Sequence, residues 1–259
     1  MDQWTLVETK ELDEELIRLL FDNRIAAIRV PGFLSEGITR AVARAIQEQG
    51  FDYYEQVNPP IGRIGITQYE HRHESGRREK YFAQAAGATR RRRKLFQDGG
   101  DLLHLVLQQI GRAWSWPVGV ARDTYGREYF AGLVRIIDEA LLHCDWAPHD
   151  APGWSIGSID AQLTWNIYCS TPERGGATVV YNRPWTEDAE QFLIEGTYGY
   201  ESQVVAGVSS LHIEPREADL ILFNSRNFHR VEAGSGMGDR ISVSSFIGRT
   251  TNSDLVAWS

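Results

Sequence analysis

The sequence predicts an α+β protein, a jelly-roll core with an N-terminal helical layer. Apolar residues recur at helical spacing through much of the first half, the pattern of amphipathic helices. Short apolar runs separated by Gly, Pro, Asn and Asp fill the second half, the texture of an antiparallel sandwich or barrel. No internal repeat, low-complexity tract or linker divides the two. A chain of 259 residues with 42% hydrophobic content can bury one sizeable core. Residues 1–259 therefore read as a single domain, mainly helical over 1–120 and jelly roll over 121–259.

Taken in order, Leu12, Leu16, Leu19 and Leu20 define a first helical face, and 25–30 is a short apolar run closed by Pro31-Gly32. Ser35 is placed to cap a helix through Ile38, Val42, Ala45 and Ile46 that ends at Gly50. Residues 51–76 read as loop with short extended pieces, punctuated by Asn58-Pro59-Pro60, Gly62 and Gly65. Two more helices are predicted between Arg77 and Trp116, broken at Gly99-Gly100. Strands are expected at 133–143, 163–169, 177–181, 208–213, 220–223 and 241–247.

Composition excludes several classes. A net charge of −8 argues against a nucleic-acid-binding surface, which needs clustered positive charge. The basic run Thr89–Lys94 is read as a solvated stretch of helix between Phe82 and Leu95-Phe96. Only two cysteines occur, Cys144 and Cys169, without the spacing of a zinc site or a disulfide scaffold. The first twenty residues are acidic where a signal peptide is basic, and no 18-residue apolar run occurs. A soluble cytoplasmic protein without membrane partners is expected; nothing fixes its oligomeric state.

Seven histidines remain to be explained. His143-Cys144-Asp145 ends a predicted strand, where residues i and i+2 share a face, so both side chains can reach one metal ion. That triplet alone is weak, since chance supplies about 0.4 His-x-Asp triplets in a chain of this composition. His229 strengthens it, lying far downstream at the opening of a second strand. Arg240 and Ser242 follow on one strand face, and Arg offers a planar fork for a carboxylate. Two His and one carboxylate with open positions suit non-haem Fe(II) and O₂ chemistry. The ordered set is far more specific than its parts.

Other candidates rank lower. His212-Ile213-Glu214 precedes a turn at Pro215 and is a secondary ligand candidate. His71 and His73 share strand parity but sit in a charged loop, His104 lies among helical leucines, and His149 reads as exposed loop. Arg72, Arg77 and Arg78 can pair with an anionic group, although a solvated loop is the simpler reading.

At this point the chain resembles the Fe(II)/2-oxoglutarate-dependent oxygenases, whose core is a double-stranded β-helix. Within them it is similar to the subgroup holding the welwitindolinone and hapalindole alkaloid halogenases and an N-succinyl-leucine hydroxylase. The likeness runs through Gly65-Ile-Thr67, Tyr81-Phe82, Leu133-Val-Arg-Ile136 and His143-Cys-Asp145. It continues through Gly175-Gly-Ala-Thr-Val-Val-Tyr-Asn-Arg-Pro-Trp185, Asp219-Leu-Ile-Leu-Phe-Asn224, His229-Arg-Val231, Arg240 and Trp258-Ser259. One departure matters: the subgroup's halogenases carry a small residue in place of the carboxylate, whereas Asp145 is present here. Hydroxylation is therefore preferred to halogenation.

The resemblance implies that His143, Asp145 and His229 ligate Fe(II), and that Arg240, with Ser242, holds the distal carboxylate of 2-oxoglutarate. It implies oxidative decarboxylation by O₂ to succinate and CO₂, coupled to oxidation of an unactivated C–H in a small organic molecule. That molecule would be a natural-product intermediate or a modified amino acid. Desaturation, ring closure and epimerisation share these cofactors, and a non-catalytic metabolite-binding jelly roll is the rival from another class. Strand 161–168 has a polar face with Thr164 and Asn166, which would stand beside the cosubstrate if the opposite face packs on the helices. Ile66, Phe82, Trp146, Trp154 and Asn224 are candidates for the substrate wall.

Overall fold

Helix signals and helix positions coincide. In this computed structural model, which describes residues 4–54, 57–72, 76–97 and 100–259, β1 (Leu6–Glu8) leads into α1 (Glu14–Phe21). The Asp13 carboxylate accepts the Leu16 N–H at 2.8 Å, satisfying one orphan donor, and Glu14 and Glu15 complement the helix dipole. After β2 (Ala27–Val30), Ser35 caps α2 (Glu36–Gln49), which stops at Gly50 with a φ of +73°. Short strands β3 (Asp52–Tyr53) and β4 (Gly62–Ile64) follow. Then come α3 (Arg77–Leu95), α4 (Leu102–Ala113) and β5 (Val118–Val120). The basic run lies on α3 with Arg90, Arg91, Arg93 and Lys94 exposed, whereas Arg92 turns inward to pair with Asp101, the N-cap of α4. His73 and the Arg77 side chain lie outside the described residues.

The second half is almost entirely strand. It contains β6 (Leu133–Ile136), β7 (Ala140–His143), a one-turn α5 (Ala147–Asp150), β8 (Ala161–Ser170), β9 (Arg174–Gly175) and β10 (Thr178–Pro184). β11 (Ser210–Ile213), β12 (Leu220–Phe223), β13 (Asn227–Val231), β14 (Gly234–Ser235), β15 (Ile241–Arg249) and β16 (Leu255–Trp258) complete it. A large sheet runs β1-β2-β12-β8-β15-β6-β4-β3, with β16 pairing both β15 and β5; a small sheet runs β11-β10-β13-β7. This is the two-sheet jelly roll that the strand spacing predicts. One expectation is corrected. The single strand at 133–143 is two strands, β6 in the large sheet and β7 in the small one, because Ile137-Asp138-Glu139 carries the chain across the corner between them. Within the first 120 residues, β1 to β5 all join the large sheet.

Alternation along β8 decides where the site lies. Leu163, Trp165 and Ile167 are buried in one core with Ile17 and Leu20 of α1, Val42 and Ile46 of α2, and Val106 and Ile110 of α4. Each such side chain removed from water stabilises the fold by roughly 1.5–3 kcal/mol. With the apolar face on the helices, the intervening residues Gln162, Thr164 and Asn166 face the space between the sheets.

Candidate active site

β7 and β13 are antiparallel neighbours with His143 opposite His229, so the register alone places two imidazoles side by side, ring centroids 4.2 Å apart. Asp145 lies just past the end of β7. Its Oδ2 is 3.4 Å from His229 Nε2 and 3.9 Å from His143 Nε2. One ligand atom from each of the three lies within 4.8 Å of the others, and this is the one such group among the described residues.

The ring nitrogens are differentiated. His143 Nδ1 faces the Leu141 carbonyl at 2.7 Å and His229 Nδ1 faces the Asn227 carbonyl at 2.9 Å. A carbonyl can only accept, so Nδ1 carries the proton and each Nε2 presents a bare lone pair toward Asp145. Burial, with His229 alongside, lowers the His143 pKa to about 4, so a metal displaces no proton there at neutral pH. Burial alone would raise the Asp145 carboxyl, but its close approach to His229 and His143 and the Arg135 guanidinium outweigh it and bring it to about 2. Two neutral nitrogen donors and one carboxylate fit a divalent transition metal with open positions.

The carboxylate is positioned through its backbone. Asp145 N–H donates to the Ser225 carbonyl at 2.9 Å, and the Asp145 carbonyl accepts from Gln162 Nε2 at 3.0 Å and Ser225 Oγ at 3.3 Å. Gln162 Oε1 also accepts the Ala147 N–H at 2.9 Å, so one buried amide ties β8 to the loop after Asp145. Replacing Gln162 with Leu should lower Fe(II) or Co(II) affinity by about 10–100-fold without unfolding the protein. Metal titration checks this, and unchanged affinity would mean that Ser225 alone holds the loop.

The three residues open into a cavity of about 470 Å³ between the sheets, within the ~300–1,000 Å³ of small-molecule sites. Arg240 lines it, almost fully buried. Its Nε donates to the Gly176 carbonyl at 2.9 Å, and its Nη2 donates to Thr178 Oγ1 at 2.9 Å and Tyr168 Oη at 3.3 Å. These partners are neutral, and among the described residues no carboxylate forms an ion pair with it. Gly176 has a φ of +75°, and a Cβ there would stand 3.3 Å from Arg240 Cδ, so glycine is what lets the chain close over the arginine.

Thr164 and Asn166 line the same cavity. Ser242 does not: its buried Oγ has no partner beneath Arg135, its cross-strand neighbour on β6. Of the five proposed substrate-wall residues only Trp146 reaches the cavity. Phe82 and Trp154 instead pack with Tyr81 and Tyr129 at centroid distances of 5.0–6.0 Å, and Ile66 joins that cluster. Asn224 is spent on structure, donating to the Leu20 and Phe21 carbonyls and accepting from Arg226 N–H.

The remaining histidines stand apart from the ligand group. His71 Nδ1 faces the Thr67 carbonyl, His104 is exposed on α4, and exposed His212 lies 3.6 Å from Glu232. His149 reaches the cavity mouth, stacked on Trp185 at 4.4 Å. Sequence reasoning missed Gln162 as a positioning residue and missed Ser225, Thr178 and Arg135. The signal for Arg135 and Thr178 was parity along short strands, available once the sheet faces are assigned.

A family model described as the carrier-protein-independent halogenase WelO5 matches residues 4–259. Leucinostatins biosynthesis cluster protein S of Purpureocillium lilacinum is 42% identical over 208 residues, 76% of this chain and 83% of that protein. L-gamma-glutamyl-L-propargylglycine hydroxylase of Streptantibioticus cattleyicolor is 29% identical over 243 residues, 91% of this chain and 88% of the relative. The solved N-substituted L-amino acid dioxygenase of Burkholderia ambifaria shares the fold, with a TM-score of 0.66 at 15% identity over 95% of this chain and 91% of the other.

Proposed function

This chain belongs to the WelO5 family of carrier-protein-independent halogenases and is an Fe(II)/2-oxoglutarate-dependent oxygenase, and we propose that it hydroxylates an unactivated C–H of a small, amino-acid-derived molecule in natural-product biosynthesis. One observation carries the reading: three ligand side chains and a buried arginine without an acidic partner share one cavity. His143, Asp145 and His229 hold the iron. Arg240 takes the distal carboxylate of 2-oxoglutarate, oriented by Gly176, Thr178 and Tyr168. Thr164 and Asn166 stand along the cosubstrate. Bound iron supplies O₂ activation coupled to decarboxylation of 2-oxoglutarate to succinate and CO₂.

The chain's own residues do the rest. The carbonyls of Leu141 and Asn227 fix both imidazole tautomers, and Gln162 with Ser225 fixes the carboxylate loop. Trp146 and Phe246 line the cavity and keep water from the reacting C–H. Retention of Asp145 favours hydroxylation over halide transfer, because the carboxylate occupies the position a halide needs. The cavity draws on residues from Tyr54 to Ser259, which supports a single domain over 1–259. Among the described residues no helix is long and apolar enough to cross a membrane, and we place the enzyme in the cytoplasm, acting on a small molecule and not on nucleic acid.

Fe(II) and 2-oxoglutarate added without oxygen should give a weak visible metal-to-ligand charge-transfer band. Arg240→Met should need about 30-fold more 2-oxoglutarate or beyond, the cost of deleting one partner of a buried charge pair. No band in the wild type refutes the assignment.

A further inference from the structure

Besides Arg240, the cavity is lined by Arg135, a guanidinium to which the reading above gives no role. Arg135 lies within β6, in register with Ser242 on β15 and Arg63 on β4. Its neighbours Val134 and Ile136 pack into the helix-facing core, so alternation turns Arg135 inward, where it lines the cavity. Its Cζ stands 5.7 Å from the centre of the Phe246 ring, and Tyr54 lines the cavity with it. Burial raises the Tyr54 hydroxyl above its usual value, so it stays protonated and able to donate. Arg63, alongside, is neutralised by Glu70 at 2.9 Å. Arg135 has no such partner: among the described residues no carboxylate oxygen lies within 4.0 Å of its guanidinium.

The other ionic groups of the cavity are engaged. Arg72 stands 3.6 Å from Asp150, and Glu190 accepts from Trp185 Nε1 and Tyr200 Oη, each at 2.9 Å. On the reading above, divalent iron, the Asp145 carboxylate, the 2-oxoglutarate dianion and Arg240 cancel in charge. Among the described residues Arg135 is a cavity guanidinium with no carboxylate in ion-pair reach. A buried cation without a close anionic partner is costly, and the primary substrate is a group that can supply one.

We propose that Arg135, with Tyr54, receives a carboxylate of the primary substrate, so that the enzyme selects small carboxylic acids and holds them by that end against the metal. The inference rests on the assignment of the iron and 2-oxoglutarate sites. Arg135 lines the same cavity as His143, Asp145 and His229, which places a substrate anchored there beside the reacting centre. The Arg fork orients a carboxylate through two parallel hydrogen bonds, which a lysine point charge does not.

The test loads the protein with Fe(II) and 2-oxoglutarate under anaerobic conditions and reads perturbation of the charge-transfer band. The probes are N-acetyl-L-leucine and a panel of N-acyl L-amino acids, each matched with its carboxamide. Acids should shift the band and the matched amides should not. Arg135→Gln should weaken the acid response about 30-fold or more, Arg135→Lys should recover part of it, and both should titrate 2-oxoglutarate like the wild type, which also shows that they are folded. A raised 2-oxoglutarate requirement in Arg135→Gln would assign the residue to the cosubstrate and overturn the proposal. Equal responses to acid and amide, or silence from every acid in the wild type, would overturn it as well. Failure of the band itself in the wild type is a separate outcome that removes the metal-site reading and this proposal with it.

Discussion

His229→Ala should make no succinate from 2-oxoglutarate and should lose the rise in melting temperature that metal gives the wild type. The imidazole is almost fully buried, edge-on to Phe223 at 5.1 Å and 4.2 Å from His143, so no neighbouring side chain can swing in to replace its Nε2. Loss of a direct ligand should exceed the 10–100-fold in metal affinity that loss of an outer partner costs. Because metal binds only the folded site, about a hundredfold excess over Kd should stabilise the wild type by about 2.7 kcal/mol. For a chain of this size that corresponds to a Tm increase of roughly 5–10 °C. Differential scanning fluorimetry with Co(II) and a succinate assay read the two effects separately. Succinate at wild-type levels from the variant would remove His229 from the ligand set.

The metal constellation was legible because strand parity is local. His143 and Asp145 share a face whatever the rest of the chain does, and an Arg following the distal histidine adds an independent constraint. Helix boundaries were legible for the same reason: Ser35 and Gly50 act on their own backbone neighbours. The crossing at Ile137-Asp138-Glu139 was not. An apolar run interrupted by two acids reads as one strand until the second sheet exists to receive β7, whose partner β13 lies some ninety residues on. The aromatic residues were hard to place on similar grounds. Phe82 and Trp154 have the composition of a ligand pocket, but Tyr81 and Tyr129 surround them, and only the packing of α3 against the 121–130 segment reveals that. Arg135 was visible as a residue inside a characteristic stretch, yet its meaning depends on Glu70 pairing with Arg63 and on the lack, among the described residues, of a carboxylate paired with Arg135. Charge balance in a cavity is a property of the whole fold.

Asp145→Gly tests the departure, bearing on the metal, of this chain from the halogenases it resembles. The loop should survive the change, because Gln162 and Ser225 hold the Asp145 backbone and make no use of its carboxylate. The side chain contributes an oxygen donor beside the bare Nε2 atoms of His143 and His229, and its low pKa keeps it anionic throughout the working pH range. Deleting it frees one metal position and one unit of negative charge. Metal affinity should fall by more than about 100-fold, beyond the loss of an outer-shell partner, and hydroxylated product should disappear. Chloride is the anion that fits the vacated charge and volume, so it should perturb the anaerobic charge-transfer band of Asp145→Gly while leaving the wild-type band unchanged. Asp145→Asn is the control: it keeps the volume but loses the charge, and should bind metal poorly without responding to chloride. Undiminished hydroxylation by Asp145→Gly would show that the carboxylate is not a ligand and that two histidines suffice.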